Sequence, residues 1–117
     1  GDKVLLRFEA KGGGCENMSK VMMFSPSAGR AGLVEFVVNT VREAGGNPCP
    51  PVIVGVGLGG DFEKCAILAK EALLRPLGDA ATDAADRELE MELLEKINAT
   101  GVGPQGLGGA ITALAVR

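Results

Sequence analysis

The chain has 117 residues, with 12 Lys and Arg against 15 Asp and Glu, a formal net charge of −3, and no His, Trp or Tyr. That inventory removes Ser–His–Asp and Cys–His nucleophile systems, a facial triad and an ordinary zinc site, and it leaves neither the basic stripe nor the stacking rings of a nucleic-acid surface. Hydrophobic residues make up 46%, enough for a core, yet no apolar run approaches the roughly 20 residues of a membrane-spanning helix, so no nucleic-acid or membrane partner is expected.

Lys3 to Ala10 alternates, with Val4, Leu6 and Phe8 on one face and Leu5, Arg7 and Glu9 on the other, which predicts a half-buried strand. Lys11 to Ser19 reads as a glycine loop and Lys20 to Phe24 as a short second strand. Ser25-Pro26-Ser27 breaks the chain and offers a helix cap. Leu33, Phe36, Val37, Val41 and Ala44 then recur at helical spacing, and Gly45-Gly46 stops the helix. Asn47-Pro48-Cys49-Pro50-Pro51 is a stiff connector, because three prolines fix φ and remove donors.

Val52 to Val56 is continuously apolar and β-branched, which predicts a strand buried on both faces. Gly57 to Gly60 leads into a helix from Asp61 to about Leu74, with an apolar stripe of Phe62, Cys65, Ala66, Ala69 and Leu73. Arg75-Pro76-Leu77-Gly78 ends it. Thr82 and Asp83 are cap candidates for a third helix marked by Leu89, Leu93, Leu94 and Ile97. Gly101, Gly103 and Pro104 close that helix, and Ala110 to Val116 predicts a last strand. The order ββαβααβ predicts a single α/β domain, a mixed β-sheet packed with about three helices.

Glycine contributes 18 of the 117 residues, in clusters that punctuate the elements. Gly55-x-Gly57-x-x-Gly60 follows a strand and opens a helix. Three readings stay open there: a nucleotide fingerprint, a tight strand–helix turn, or an anion cradle for a carboxylate. The fingerprint also wants a second strand ending in an acid about 20 residues on, where this chain has another helix instead. Glu88 and Glu92 share a helix face and read as solvated rather than as an acid–base pair.

Three cysteines, an odd and widely spaced set, fit neither a disulfide framework nor a metal knuckle and predict a reducing, cytoplasmic compartment. Cys65 reads as a small core residue and Cys15 as an incidental loop thiol. Cys49, held between prolines, suits a metal or cluster ligand, although one cysteine cannot hold a cluster.

Lys11-Gly12-Gly13-Gly14-Cys15-Glu16-Asn17-Met18-Ser19, Asn47-Pro48-Cys49-Pro50-Pro51, Gly55 to Gly60, and Gly101-Val102-Gly103-Pro104-Gln105-Gly106-Leu107-Gly108-Gly109 occur in that order. Together they resemble the alpha subunit, or N-terminal catalytic domain, of the class I iron–sulfur fumarate hydratases, which also include the L-tartrate dehydratases. The resemblance runs across essentially the whole chain. It implies a hydro-lyase that reversibly hydrates fumarate to malate, with L-tartrate dehydratase as the alternative. A non-catalytic nucleotide- or anion-binding module using Gly55 to Gly60 is the rival from another class.

The resemblance further implies a [4Fe–4S] cluster held by three cysteines. Cys49 matches the middle ligand, and the other two belong to segments upstream and downstream of residues 1–117. One iron without a protein ligand acts as Lewis acid. Cys15 stands where the family has Ser. Gly12, Gly13 and Gly14 are expected to bind a substrate carboxylate through their amides. The base and further cationic groups are expected outside these residues or on a beta subunit or C-terminal domain, in an oligomer. The chain itself is expected to be a fragment, inactive alone.

Overall fold

The computed structural model describes all residues 1–117. It is an α/β unit of four helices and a two-stranded parallel sheet. In chain order these are α1 (Gly13–Asn17), α2 (Gly29–Ala44), β1 (Val52–Val54), α3 (Phe62–Leu73), α4 (Ala84–Asn98) and β2 (Ala113–Val116), with single 3-10 turns at Pro26–Ala28 and Pro104–Gly106.

Local chemistry sets the helix ends. Gly45 takes φ 55° just past α2, and its amide returns to the Val41 and Arg42 carbonyls. Asp61 caps α3, its carboxylate accepting from the Glu63 and Lys64 amides. Asp83 caps α4 in the same way, accepting from Ala85 and Asp86. Ser25 makes no side-chain cap bond; its hydroxyl pairs with that of Ser27 instead.

The core lies where α2, α4 and β2 meet. Val34, Val37, Val38 and Val41 of α2 pack with Leu93 and Ile97 of α4 and with Ala113 and Val116 of β2. Leu93 and Ile97 are 1% and 0% exposed, which at the usual worth of a buried aliphatic chain is about 1.5–3 kcal/mol each. Asn98, at the end of α4, docks β2: its Oδ1 accepts from the Thr112 and Ala113 amides at 2.8 and 2.9 Å, and its Nδ2 donates to the Ala113 carbonyl. Glu92 holds α2 against α4, accepting from Arg30 of α2 and Lys96 of α4. It therefore serves as an ion-pair partner, with its pKa lowered by Lys96 and Arg30.

β1 and β2 pair Val52 with Ala113, Ile53 with Ala115 and Val54 with Val116, with an irregularity after Val52. The sheet is therefore parallel, joined by the α3–α4 crossover. β1 is not buried on both faces, since Ile53 is exposed while Val52 and Val54 are half-buried. Only β2 flanks it.

Residues 3–10 and 20–24 form no strand. Both run as exposed coil, with Phe8 90% exposed. The alternation at Val4, Leu6 and Phe8 describes a surface that a sheet would cover, but a strand exists only where a neighbouring ladder takes its N–H and C=O groups. α3 likewise has no fully buried residue, so Cys65 is half-buried rather than core, its thiol against the Phe62 carbonyl. No helix is long and apolar enough to cross a membrane.

Candidate functional site

Three irregular segments converge around Cys49. The first is the glycine loop. Gly12 to Gly14 enter α1, a helix of five residues, inside the segment expected to be loop throughout. The amides of Gly12, Gly13 and Gly14 donate to no backbone or side-chain acceptor. Gly13 has open space where a side chain would project. Gly14 does not, because a β-carbon there would overlap the Asn47 carbonyl. The loop is pressed directly onto the proline connector, and the Cys15 thiol donates to the Pro48 carbonyl at 3.1 Å.

Glu16 fixes this loop from the other side. Its carboxylate accepts from Lys11 at 2.9 Å and from Lys70 of α3 at 2.9 Å. Those two ammonium groups, first by hydrogen bonding and then by charge, hold its pKa down at about 2.

The second segment is the connector itself. Cys49 has φ 56° and its amide donates to the Gly46 carbonyl at 2.9 Å. Its side chain is exposed and free. Pro50, next along, is fully buried. The third segment is the turn at Gly103–Gly108. Gln105, also at φ 56°, donates to the Pro50 carbonyl from its main chain at 2.7 Å and from Nε2 at 3.2 Å. Glycine at positions 46 and 106 permits the approach: a β-carbon on Gly46 would stand 2.7 Å from the Gln105 carbonyl oxygen.

Cys49 thus sits exposed on a connector braced on one side by the glycine loop, at Asn47 and Pro48, and on the other by Gln105, at Pro50. As a donor set, that offers one thiolate with fixed geometry. No three His, Cys, Asp or Glu side chains gather as a metal site. Within residues 1–117 a cluster would find a single exposed cysteine here, Cys49, with no further ligating side chains gathered beside it.

The Gly55–Gly60 turn is built for packing. A β-carbon at Gly55 would overlap the Ala69 carbonyl, and one at Gly57 the Cys65 carbonyl. These glycines let the segment that follows β1 lie directly on α3. Two of the amides at the start of α3, those of Glu63 and Lys64, are taken by the Asp61 carboxylate. Of the three readings of this motif, the tight strand–helix turn is the one the geometry matches. At the far ends of the strands a cleft of about 420 Å³ opens between α3 and α4. Glu90 there pairs with Arg75 at 2.7 Å and faces Arg117.

Gln105 had no place among the sequence-based candidates. Its signal was available: it is the one polar side chain in a run of Gly, Pro, Val and Leu from Gly101 to Gly109.

The chain matches the fumarate hydratase (fumerase) family over residues 1–117. A Methanocaldococcus jannaschii protein, provisionally given the name L(+)-tartrate dehydratase subunit alpha, is 53% identical over 106 residues, which cover 91% of this chain and 37% of that relative. The Escherichia coli K12 protein named L(+)-tartrate dehydratase subunit alpha is 40% identical over 106 residues, 91% of this chain and 35% of the relative. Its Escherichia coli O157:H7 counterpart is 38% identical over 117 residues, 100% of this chain and 39% of the relative. The chain thus spans less than two fifths of the length of these curated relatives.

Proposed function

The chain belongs to the fumarate hydratase (fumerase) family, and from that premise we propose that it forms part of the alpha subunit of an iron–sulfur hydro-lyase acting on a four-carbon dicarboxylate. The observation that carries this is the seating of the Gly12–Gly14 loop on the connector that leads to the exposed Cys49, with Gly14 against the Asn47 carbonyl and the Cys15 thiol on the Pro48 carbonyl. The relatives' names favour dehydration of L(+)-tartrate. The family's description favours a second reading, the interconversion of fumarate and malate. The same names point to a beta subunit as partner. Three free cysteines suit a reducing, cytoplasmic setting.

In this reading Cys49 supplies one of three thiolates to a [4Fe–4S] cluster, and its neighbours hold the backbone on either side of it. When bound, the cluster supplies Lewis acidity toward a substrate hydroxyl and carboxylate. The chain's own residues bind and orient. The Gly12–Gly14 amides donate to a carboxylate, approached closely because no β-carbon intervenes. Glu16, two residues past Gly14, ties the same segment to α3 through Lys70 and pairs with Lys11. Acid and base are assigned to none of these 117 residues.

The test is the full-length protein with its partner subunit, reconstituted anaerobically and assayed with L(+)-tartrate, L-malate and fumarate. Turnover of at least one, lost on removal of the cluster, is the expected result. A fully loaded cluster with no turnover of any of the three would overturn the reading.

A further inference from the structure

Cys49 and Gln105 are the two residues other than glycine with positive φ, both at 56°. A β-carbon in that left-handed region crowds the following carbonyl and is retained only where the surroundings hold it. The two residues are one carbonyl apart. Pro50 follows Cys49, and both of the bonds its carbonyl accepts come from Gln105, one from the main-chain N–H and one from Nε2. On the other side of Cys49, its own amide is held by the Gly46 carbonyl. The Gly46 and Gly106 backbones touch, since a β-carbon on Gly106 would lie 2.6 Å from the Gly46 α-carbon. Cys49 is therefore clamped fore and aft while its thiol stays free.

The identity of residue 105 is the informative point. Glycine would adopt φ 56° without strain and still donate its main-chain N–H to Pro50. Its neighbours at 103, 106, 108 and 109 are all glycines at positive φ. What glutamine adds, against that steric cost, is the second donor. We propose that Gln105 is a positioning residue for Cys49: its side-chain amide locks the Pro50 carbonyl and so fixes the loop that presents the thiol. This rests on reading Cys49 as a cluster ligand.

Two variants of the full-length, anaerobically reconstituted protein test it. Gln105→Gly removes the strain and keeps the main-chain bond. Gln105→Glu keeps the shape but sets a carboxylate against the Pro50 carbonyl. The readouts are the rate of iron release to a chelator and the electron paramagnetic resonance line shape of the oxidised cluster, beside a melting curve. Both variants are expected to lose iron about fivefold faster, the worth of one net hydrogen bond, with a broadened signal. Gln105→Gly is expected to do so with an undiminished melting temperature, which separates positioning from folding. Wild-type iron release and line shape in Gln105→Gly would overturn the proposal, whatever Gln105→Glu does. Cys49→Ser, measured alongside, isolates the premise: a complete cluster there removes the ligand reading itself, whereas a lost cluster with an unaffected Gln105→Gly removes only the role of Gln105.

Discussion

Gly14 lies against the Asn47 carbonyl so closely that any side chain at position 14 would collide with it, while one residue earlier Gly13 faces open space. Adjacent glycines in one loop thus have different reasons to be glycine. Gly14 allows α1 to seat on the loop that carries Cys49. Gly13 meets no protein atom that requires its lack of a side chain.

That difference makes a clean pair of variants. Gly14→Ala should force the two loops apart and destabilise the protein by about 1–3 kcal/mol, as overpacking against a fixed backbone does. Gly13→Ala should leave the melting temperature unchanged or slightly raised, since alanine narrows the unfolded ensemble at a compatible position. In the full-length enzyme Gly13→Ala should nevertheless lower kcat/KM by about tenfold, because a methyl group blocks a carboxylate from amides worth at least that much. Steady-state kinetics with the cluster spectrum unchanged checks this, and unaltered kinetics would take Gly13 out of the site.

The cysteines should separate in the same enzyme. Cys49→Ser should abolish the cluster signal. Cys15→Ser should retain it and cost little, because a hydroxyl donates to the Pro48 carbonyl as the thiol does; Cys15→Ala, which leaves that carbonyl short of a donor, should cost about 1 kcal/mol. Cys65→Ser should also be mild, since Cys65 is only half-buried. Iron and sulfide analysis of the three variants, and of residues 1–117 alone, decides the set. With one thiolate to offer, the isolated chain should hold no stoichiometric cluster.

Most of the helical architecture was legible because its signals are local. Asp61, Asp83 and Gly45 stand at the ends that their chemistry predicts. Val34 and Val38 fall outside the predicted stripe, yet both are buried in the same cluster as Val37 and Val41, so the buried face of α2 is wider than the stripe. The alternation in residues 3–10 shows that a face is apolar without showing what covers it. The stiffness around Cys49 was readable from its prolines. The meeting of that connector with Gly14, at Asn47, and with Gln105, at Pro50, was not, because contacts between segments tens of residues apart leave no periodic trace. The Asn98 latch on β2 was hidden for the same reason: a single amide, 14 residues from its partner, follows no pattern.

Acidification should release α1 from α3 in a defined window. Glu16 titrates at about 2 in the folded protein against an ordinary value of 4.5. A carboxylate with a depressed folded pKa contributes its full stabilisation above 4.5 and loses it progressively as pH falls toward 2, where both states are protonated. Exchange of the Glu16, Met18 and Ser19 amides, which are bonded to the Gly12, Cys15 and Glu16 carbonyls, should therefore accelerate between pH 4.5 and 2, after correction for the intrinsic pH dependence. Glu16→Gln should exchange faster than wild type at pH 6 and lack that acid-induced step. A wild-type and variant difference that persists unchanged at pH 2 would contradict the assignment.

Asp61 offers a test of the rival reading of the Gly55–Gly60 turn. Its carboxylate fills the place of an external anion at the start of α3, accepting from Glu63 at 3.1 Å and Lys64 at 2.8 Å. Asp61→Ala should cost about 0.5–2 kcal/mol, the usual penalty for deleting a helix cap, seen as a lower urea midpoint at unchanged slope. A dinucleotide or inorganic phosphate at millimolar concentration should leave the midpoint of the wild-type protein where it is: ligand binding to the folded state would raise it by mass action, but the Asp61 carboxylate already holds the Glu63 and Lys64 amides and sets a negative charge against an incoming anion. A midpoint rise in the wild type would revive the nucleotide or anion site. A rise confined to Asp61→Ala would show instead that the cap itself keeps anions out, and would place the function of Gly55 and Gly57 in the close contact between α3 and the segment that follows β1.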